Sequence, residues 1–110
     1  MDAEPQKALP PAVVAQCENI ARTLLSNEPH VKIFLFGSRA ADRGTPRSDV
    51  DIGNDLGHPI APEVMVELRE RFDALPVLQK VDLVDFSRVD PGFRRVALQN
   101  VVILHEREAA

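Results

Sequence analysis

Asp49 and Asp51, one residue apart in "SDVDIGND", are the side chains in this sequence best suited to chemistry. On an extended strand alternate residues share a face, which puts the two carboxylates roughly 6–7 Å apart along the chain. That spacing suits a grip on one or two hard divalent cations. Mg²⁺ prefers a few carboxylates plus substrate phosphates. Two such ions about 4 Å apart stabilise the attacking and leaving oxygens of an in-line phosphoryl displacement. Upstream, an apolar run ends in Gly37-Ser38, with ten residues between Ser38 and Asp49. Gly37 permits a sharp turn and the close approach of a phosphate. Ser38 offers a hydroxyl and, as the N-cap of a short helical turn, N–H groups that favour an anion. Arg39, beside Ser38, is placed to screen triphosphate charge. For Arg43 and Arg47, pairing with Asp42 and its neighbours is an equal alternative. "KVDLVDF" supplies two candidates for a third carboxylate, Asp82 and Asp85. They point to opposite faces of a strand, so only one can join the site.

These groups need elements to hold them. From Pro11 to Asn27 the residues Val13, Val14, Cys17, Ile20, Ala21, Leu24 and Leu25 form one helical stripe. Pro10 and Pro11 suit its start, and Glu28-Pro29 its end. Val31–Phe36 is a continuous apolar run, as in a strand buried on both faces. Residues 39–48 hold turn formers and charges, and 49–54 alternate as a second strand. Pro62–Leu75 is a second amphipathic helix with Val64, Leu68, Phe72 and Leu75 inward, closed by Pro76. Val77–Phe86 reads as a third strand. Asp90-Pro91 is an N-cap with proline at N1, opening a short helix that carries Phe93, Val96 and Ala97. Val101–Leu104 reads as a last strand. The expectation is an α/β (α+β) fold, a mixed sheet of about four strands with helices packed on it.

The chain has 110 residues, 45% apolar and 27% charged, with a net charge of −4. That is enough for one modest core and ordinary for a soluble domain. Residues 1–9 read as a loose tail, without the basic start and apolar stretch of a signal peptide, and 10–110 as a single domain. No apolar run is long enough to span a membrane. The single Cys17 sits on the apolar stripe of the first helix, excludes an internal disulfide and suits a reducing cytoplasm. Direct nucleic-acid binding is disfavoured, because there is no basic stripe. There is also no Trp or Tyr, and the five Phe read as core residues. His30, His58 and His105 have no metal-site spacing and read as surface residues. A Gly-Ser turn alone is usually only a turn, and Asp-x-Asp alone a solvated strand face. Spacing and strand context together make them informative.

GSRA…SDVDIG followed by VDLVD resembles the minimal nucleotidyltransferases (MNT) of the DNA polymerase β superfamily, most of all the small stand-alone type encoded beside a HEPN-domain protein. The resemblance runs from the first helix to VVIL. It implies a nucleotidyltransferase fold, binding of Mg²⁺ (two ions) and of ATP or another NTP, and transfer of a nucleoside monophosphate with release of pyrophosphate. By motif position, Gly37, Ser38, Arg39 and Ser48 would hold the nucleotide and Asp49 and Asp51 would ligate metal. Asp82 would be the third ligand and the base at the acceptor hydroxyl, leaving Asp85 as a strand-edge or interface charge. The implied activity is adenylylation of a HEPN partner by its antitoxin. The alternatives are an antitoxin that blocks a HEPN ribonuclease by binding alone, and transfer to RNA or a small molecule. Gly53 departs from the larger apolar residue common in relatives, and Asn54-Asp55 adds charge at the strand end. No second domain is present to bind an acceptor.

Overall fold

The computed structural model describes residues 9–37, 40 and 49–108. Among them the elements run α1 (Pro11–Leu24), β1 (His30–Phe36), β2 (Val50–Asp55), α2 (Pro62–Asp73), β3 (Val81–Asp85), α3 (Pro91–Ala97) and β4 (Val102–Glu108). The four strands form one sheet in the order β3-β2-β1-β4. β1 lies antiparallel to both β2 and β4, and β2 pairs with β3 in parallel. A parallel neighbour needs a long crossover, and α2 supplies it. The sheet is therefore mixed and the fold α+β, as expected. No helix among the described residues is long and apolar enough to cross a membrane.

One face of the sheet carries the main core. Val13, Cys17, Ile20, Ala21 and Leu25 of the first helical segment meet Leu68, Phe72 and Leu75, and both pack on Val31, Ile33, Leu35, Val50, Ile52 and Leu83. Cys17 is fully buried there, and burial pushes its thiol up to about 11. The opposite face holds a smaller aromatic cluster of Phe34, Phe36 and Phe86, with Val84, Val89, Ala97 and Val101 against it. Phe86 stands edge-on to Phe34 and Phe36, at centroid distances of 4.8 and 5.0 Å. Because β1 is central and both clusters draw on it, its sequence is apolar at nearly every position.

The element ends show where pattern and structure part. α1 stops at Leu24 rather than Asn27, and the carbonyls of Leu25 and Glu28 just beyond it each accept a hydrogen bond from Arg107 of β4, at 2.6 and 2.9 Å. β3 starts at Val81, four residues later than the apolar pattern suggests, because residues 77–80 form a turn in which Leu78 is fully exposed. β4 continues to Glu108, past the apolar Val101–Leu104. Its polar half is an edge strand, paired to β1 and crossed by His30–Glu108 and Lys32–Glu106 contacts at 3.1 and 3.7 Å. An edge half-strand has no second sheet neighbour and needs no apolar signal. Leu9, read from sequence as part of the tail, is buried in the main core. Residues 1–8 lie outside the described residues.

α3 is pinned at two points. Asp90 caps it, accepting from the N–H groups of Gly92 and Phe93 at 2.9 and 3.3 Å. Arg94 donates to the Phe86 carbonyl at 2.9 Å and to the Asp55 carboxylate at 2.7 Å. The charge at the end of β2 is thus half of an ion pair joining strand to helix. Burial raises the Asp55 carboxyl, but hydrogen bonds from Arg94 and the Gly57 N–H, with the guanidinium charge, outweigh it and hold the group below its ordinary value. A carboxyl lowered by folding stabilises above its unfolded pKa and loses that contribution as the pH falls through its folded value. Asp55→Asn should therefore cost about 1 kcal/mol near neutral pH, after allowance for solvent screening. The gap to wild type should close as the solution is acidified below about pH 4. Urea unfolding midpoints at several pH values test this, and a gap that does not change with pH would contradict it.

Candidate active site

Asp49, Asp51 and Asp82 gather at one end of the sheet, on the face that carries the aromatic cluster. Asp51 is the centre. In β2 it pairs with Phe36 of β1 on one side and with Asp82 of β3 on the other. Residues directly opposite across a ladder point to the same face, so the register sets the Asp51 and Asp82 carboxylates side by side. Asp49, just before β2, follows the same alternation and is exposed, as is Asp82. Asp51 is half-buried. Its carboxyl is pushed above its usual value, first by burial, then by the negative charges of Asp82 and Asp49. A half-buried carboxylate whose ionisation two acidic neighbours oppose makes a site that gains from a nearby cation. Among the described residues no three His, Cys, Asp or Glu side chains already sit close enough together to enclose a metal ion.

Gly37 closes β1 beside this cluster with φ +81°, the left-handed region that only glycine enters freely. A methyl group here would fall on the Asp51 carboxylate. The residue therefore does two things: it turns the chain out of β1, and it leaves the space that the central carboxylate occupies. The sequence suggested the turn. The approach of an aspartate from the neighbouring strand is visible only in the fold. Ser38, Arg39 and Ser48, the remaining candidates for nucleotide contact, and Arg43 and Arg47, lie outside the described residues.

Asp85 has a different role from the strand-edge or interface charge expected of it. It points to the helix-covered face, is buried, and accepts from the Ile60 N–H at 2.9 Å, the Ser87 N–H at 3.0 Å and the Ser87 hydroxyl at 2.8 Å. Arg88 lies 3.3 Å from its second oxygen. It ties the entry to α2 to the turn after β3. Asp85→Asn removes acceptor capacity from buried donors, which costs about 1–3 kcal/mol. The expected result is a lowered melting temperature for Asp85→Asn and an almost unchanged one for Asp82→Asn. Equal melting temperatures would contradict the assignment of Asp85 to the scaffold.

Gly53, which stood out as small, sits beneath the site between two rings. A methyl there would come within 2.6 Å of two carbons of Phe34 and 2.7 Å of Phe86. Asn54 next to it is fully buried, with neither side-chain polar atom hydrogen-bonded. Of the histidines read as surface residues, His58 is exposed as expected, while His30 and His105 are half-buried. His58 is bonded to Glu28 at 2.7 Å, and His30 lies against Glu108. His105 has an unpartnered Nε2, and burial lowers its pKa.

Residues 18–110 match the family model described as Polymerase beta, Nucleotidyltransferase. A Haemophilus influenzae protein named as a probable protein adenylyltransferase, MntA, is 27% identical over 90 residues, covering 81% of this chain and 79% of that protein. A solved toxin–antitoxin structure with AMP-PNP has the same fold at TM-score 0.59 and 23% identity, covering 80% of this chain and 72% of that one. So does an MNT antitoxin in complex with a tri-AMPylated Shewanella oneidensis HEPN toxin, at TM-score 0.55 and 21% identity, covering 84% and 71%. The Asp-x-Asp strand, the acidic strand in register beside it and the glycine turn at its flank sit inside the matched region, and the chain belongs to the Polymerase beta nucleotidyltransferase family.

Proposed function

We propose that this protein transfers AMP from ATP to a hydroxyl group of a HEPN-domain partner, as the antitoxin of a HEPN/MNT pair. The observation that carries the reading is the in-register pairing of Asp51 with Asp82 on one sheet face, beside Asp49 and the Gly37 turn. The named relative, a protein adenylyltransferase, and the AMPylated HEPN complex of the same fold supply the direction of transfer. Asp49, Asp51 and Asp82 fit a hard divalent cation, since their oxygens share a face and their charges oppose one another. They are the residues that would hold Mg²⁺, which when bound would offset the negative charge of the triphosphate.

The protein's own groups divide the remaining work. Gly37 lets the chain leave β1 without crowding the nucleotide, and Ser38, Arg39 and Ser48 bind the phosphates. Asp82 takes the proton of the acceptor hydroxyl. The hydroxyl oxygen bonds to the α-phosphorus, the bond from that phosphorus to the bridging oxygen of the β-phosphate breaks, and pyrophosphate leaves. Holding the acceptor in line supplies a large share of such catalysis. α1, α2 and the sheet commit their main apolar faces to the two cores, so a partner protein brings the acceptor.

The test is direct. Mix the purified chain with a HEPN protein encoded beside it, ATP labelled at the α-phosphate, and Mg²⁺, then weigh both proteins. A mass gain of one AMP on the partner supports the reading. A stable complex that never gains mass, with toxicity suppressed equally by Asp82→Asn, would assign the antitoxin effect to occlusion. Label on RNA or a small molecule would replace the acceptor.

A further inference from the structure

Four of the five phenylalanines are buried as expected, but Phe93 is 46% exposed. It projects from α3 on the same sheet face as the carboxylates. Its ring lies 6.1 Å from Phe36, nearly perpendicular to it, and 6.0 Å from Phe86. Phe36 is the cross-strand partner of Asp51. One buried ring, Phe36, therefore links Phe93 to the centre of the acidic cluster on the same sheet face.

We infer that Phe93 is the stacking platform for the nucleobase of the triphosphate. This rests on the nucleotidyl-transfer reading above and adds a base subsite to it. The backbone that carries the ring is fixed: the Phe93 main-chain N–H donates to the Asp90 carboxylate, and the next residue, Arg94, donates to both Asp55 and the Phe86 carbonyl. The ring packs nearly perpendicular to Phe36 and tilted against Phe86, while nearly half of the residue stays exposed to water. A rigid aromatic held this way loses little conformational freedom on covering a base. Every base has a π-face, so such a platform accepts several bases, and a purine covers more of it than a pyrimidine. Val96, one turn on and 64% exposed, extends the apolar surface away from the carboxylates. It lies on the same helix but offers no ring to stack on, which makes it the control.

The experiment uses titration calorimetry with ATP and, separately, inorganic tripolyphosphate, both with Mg²⁺, on wild type, Phe93→Leu, Phe93→Tyr and Val96→Ala. Melting temperatures check that each variant folds. Phe93→Leu should weaken ATP about tenfold, the scale of one lost base stack, and leave tripolyphosphate unchanged. Phe93→Tyr should keep ATP affinity, and Val96→Ala should change neither ligand. Unchanged ATP affinity in Phe93→Leu would overturn the subsite while leaving the transfer reading intact. Equal loss of both ligands would also overturn it, since the ring would then support the site rather than touch the base. If Phe93→Leu and Val96→Ala instead both weaken the HEPN complex with ATP binding unaffected, α3 is a protein-docking face and the inference fails. Wild type that binds neither ligand would sink the transfer reading, and the subsite with it.

Discussion

Asp51→Asn should abolish nucleotidyl transfer while leaving the protein folded and, without metal, slightly more stable. The carboxylate is half-buried between Asp82 and the turn at Gly37, and burial and its two acidic neighbours hold its pKa up. Asparagine keeps the shape and removes the charge. A carboxyl raised by folding costs stability once it ionises. Its contribution is most favourable below the unfolded pKa, near 3.9, and fades as the pH rises through the folded value. The variant should thus melt at or slightly above wild type at pH 7 and lose that advantage in acid. With Mg²⁺ the order should reverse, because the proposed cation site is intact only in wild type. The expected loss of turnover is about a hundred- to a thousandfold, the range seen when a group that stabilises developing charge is removed. Turnover within tenfold of wild type, or a melting temperature that still rises with Mg²⁺ as much as wild type does, would remove Asp51 from the site.

Gly53→Ala should be the most damaging single-methyl change to the fold. The reason is space and not backbone conformation. A Cβ at this position meets three aromatic carbons of Phe34 and Phe86 at 2.6–2.7 Å, inside a cluster with no exposed route for relief. Overpacking of a buried cluster costs typically 1–3 kcal/mol, and this site belongs at about 3. The strain falls two residues from Asp51, so β2 should lose activity together with stability. Chemical denaturation gives the first quantity. Combining the change with Phe34→Leu makes room for the methyl, and the double variant should be less destabilised than the sum of the singles. Additive losses would mean that the glycine is not there for the rings.

Much of the architecture was written in local patterns. Prolines at the starts of α1, α2 and α3, the Asp90 cap and the 3.6-residue stripes set the helices, because caps and periodicity act within a few residues. The apolar run of β1 announced a central strand. Element ends were harder to read wherever the stabilising partner is remote. Arg107 covers the end of α1 from β4, and the polar half of β4 is held by pairing to β1 rather than by its own composition.

The site divides along the same line. Local pattern was enough to show that two carboxylates share a strand face, that a glycine turn precedes them and that one of two later aspartates can join. Those are consequences of strand alternation and glycine's freedom. Alternation is blind to register: motif position pointed to Asp82, and the strand pairing sets it beside Asp51 while Asp85 turns inward to take three hydrogen bonds. Only the tertiary structure decided that Gly37 makes room for Asp51 and Gly53 for two rings, and that Phe93, apolar and at helical spacing like any core residue, faces water beside the carboxylates. These depend on which residues from distant parts of the chain fill the same volume, and steric exclusion between them is not encoded in any local pattern.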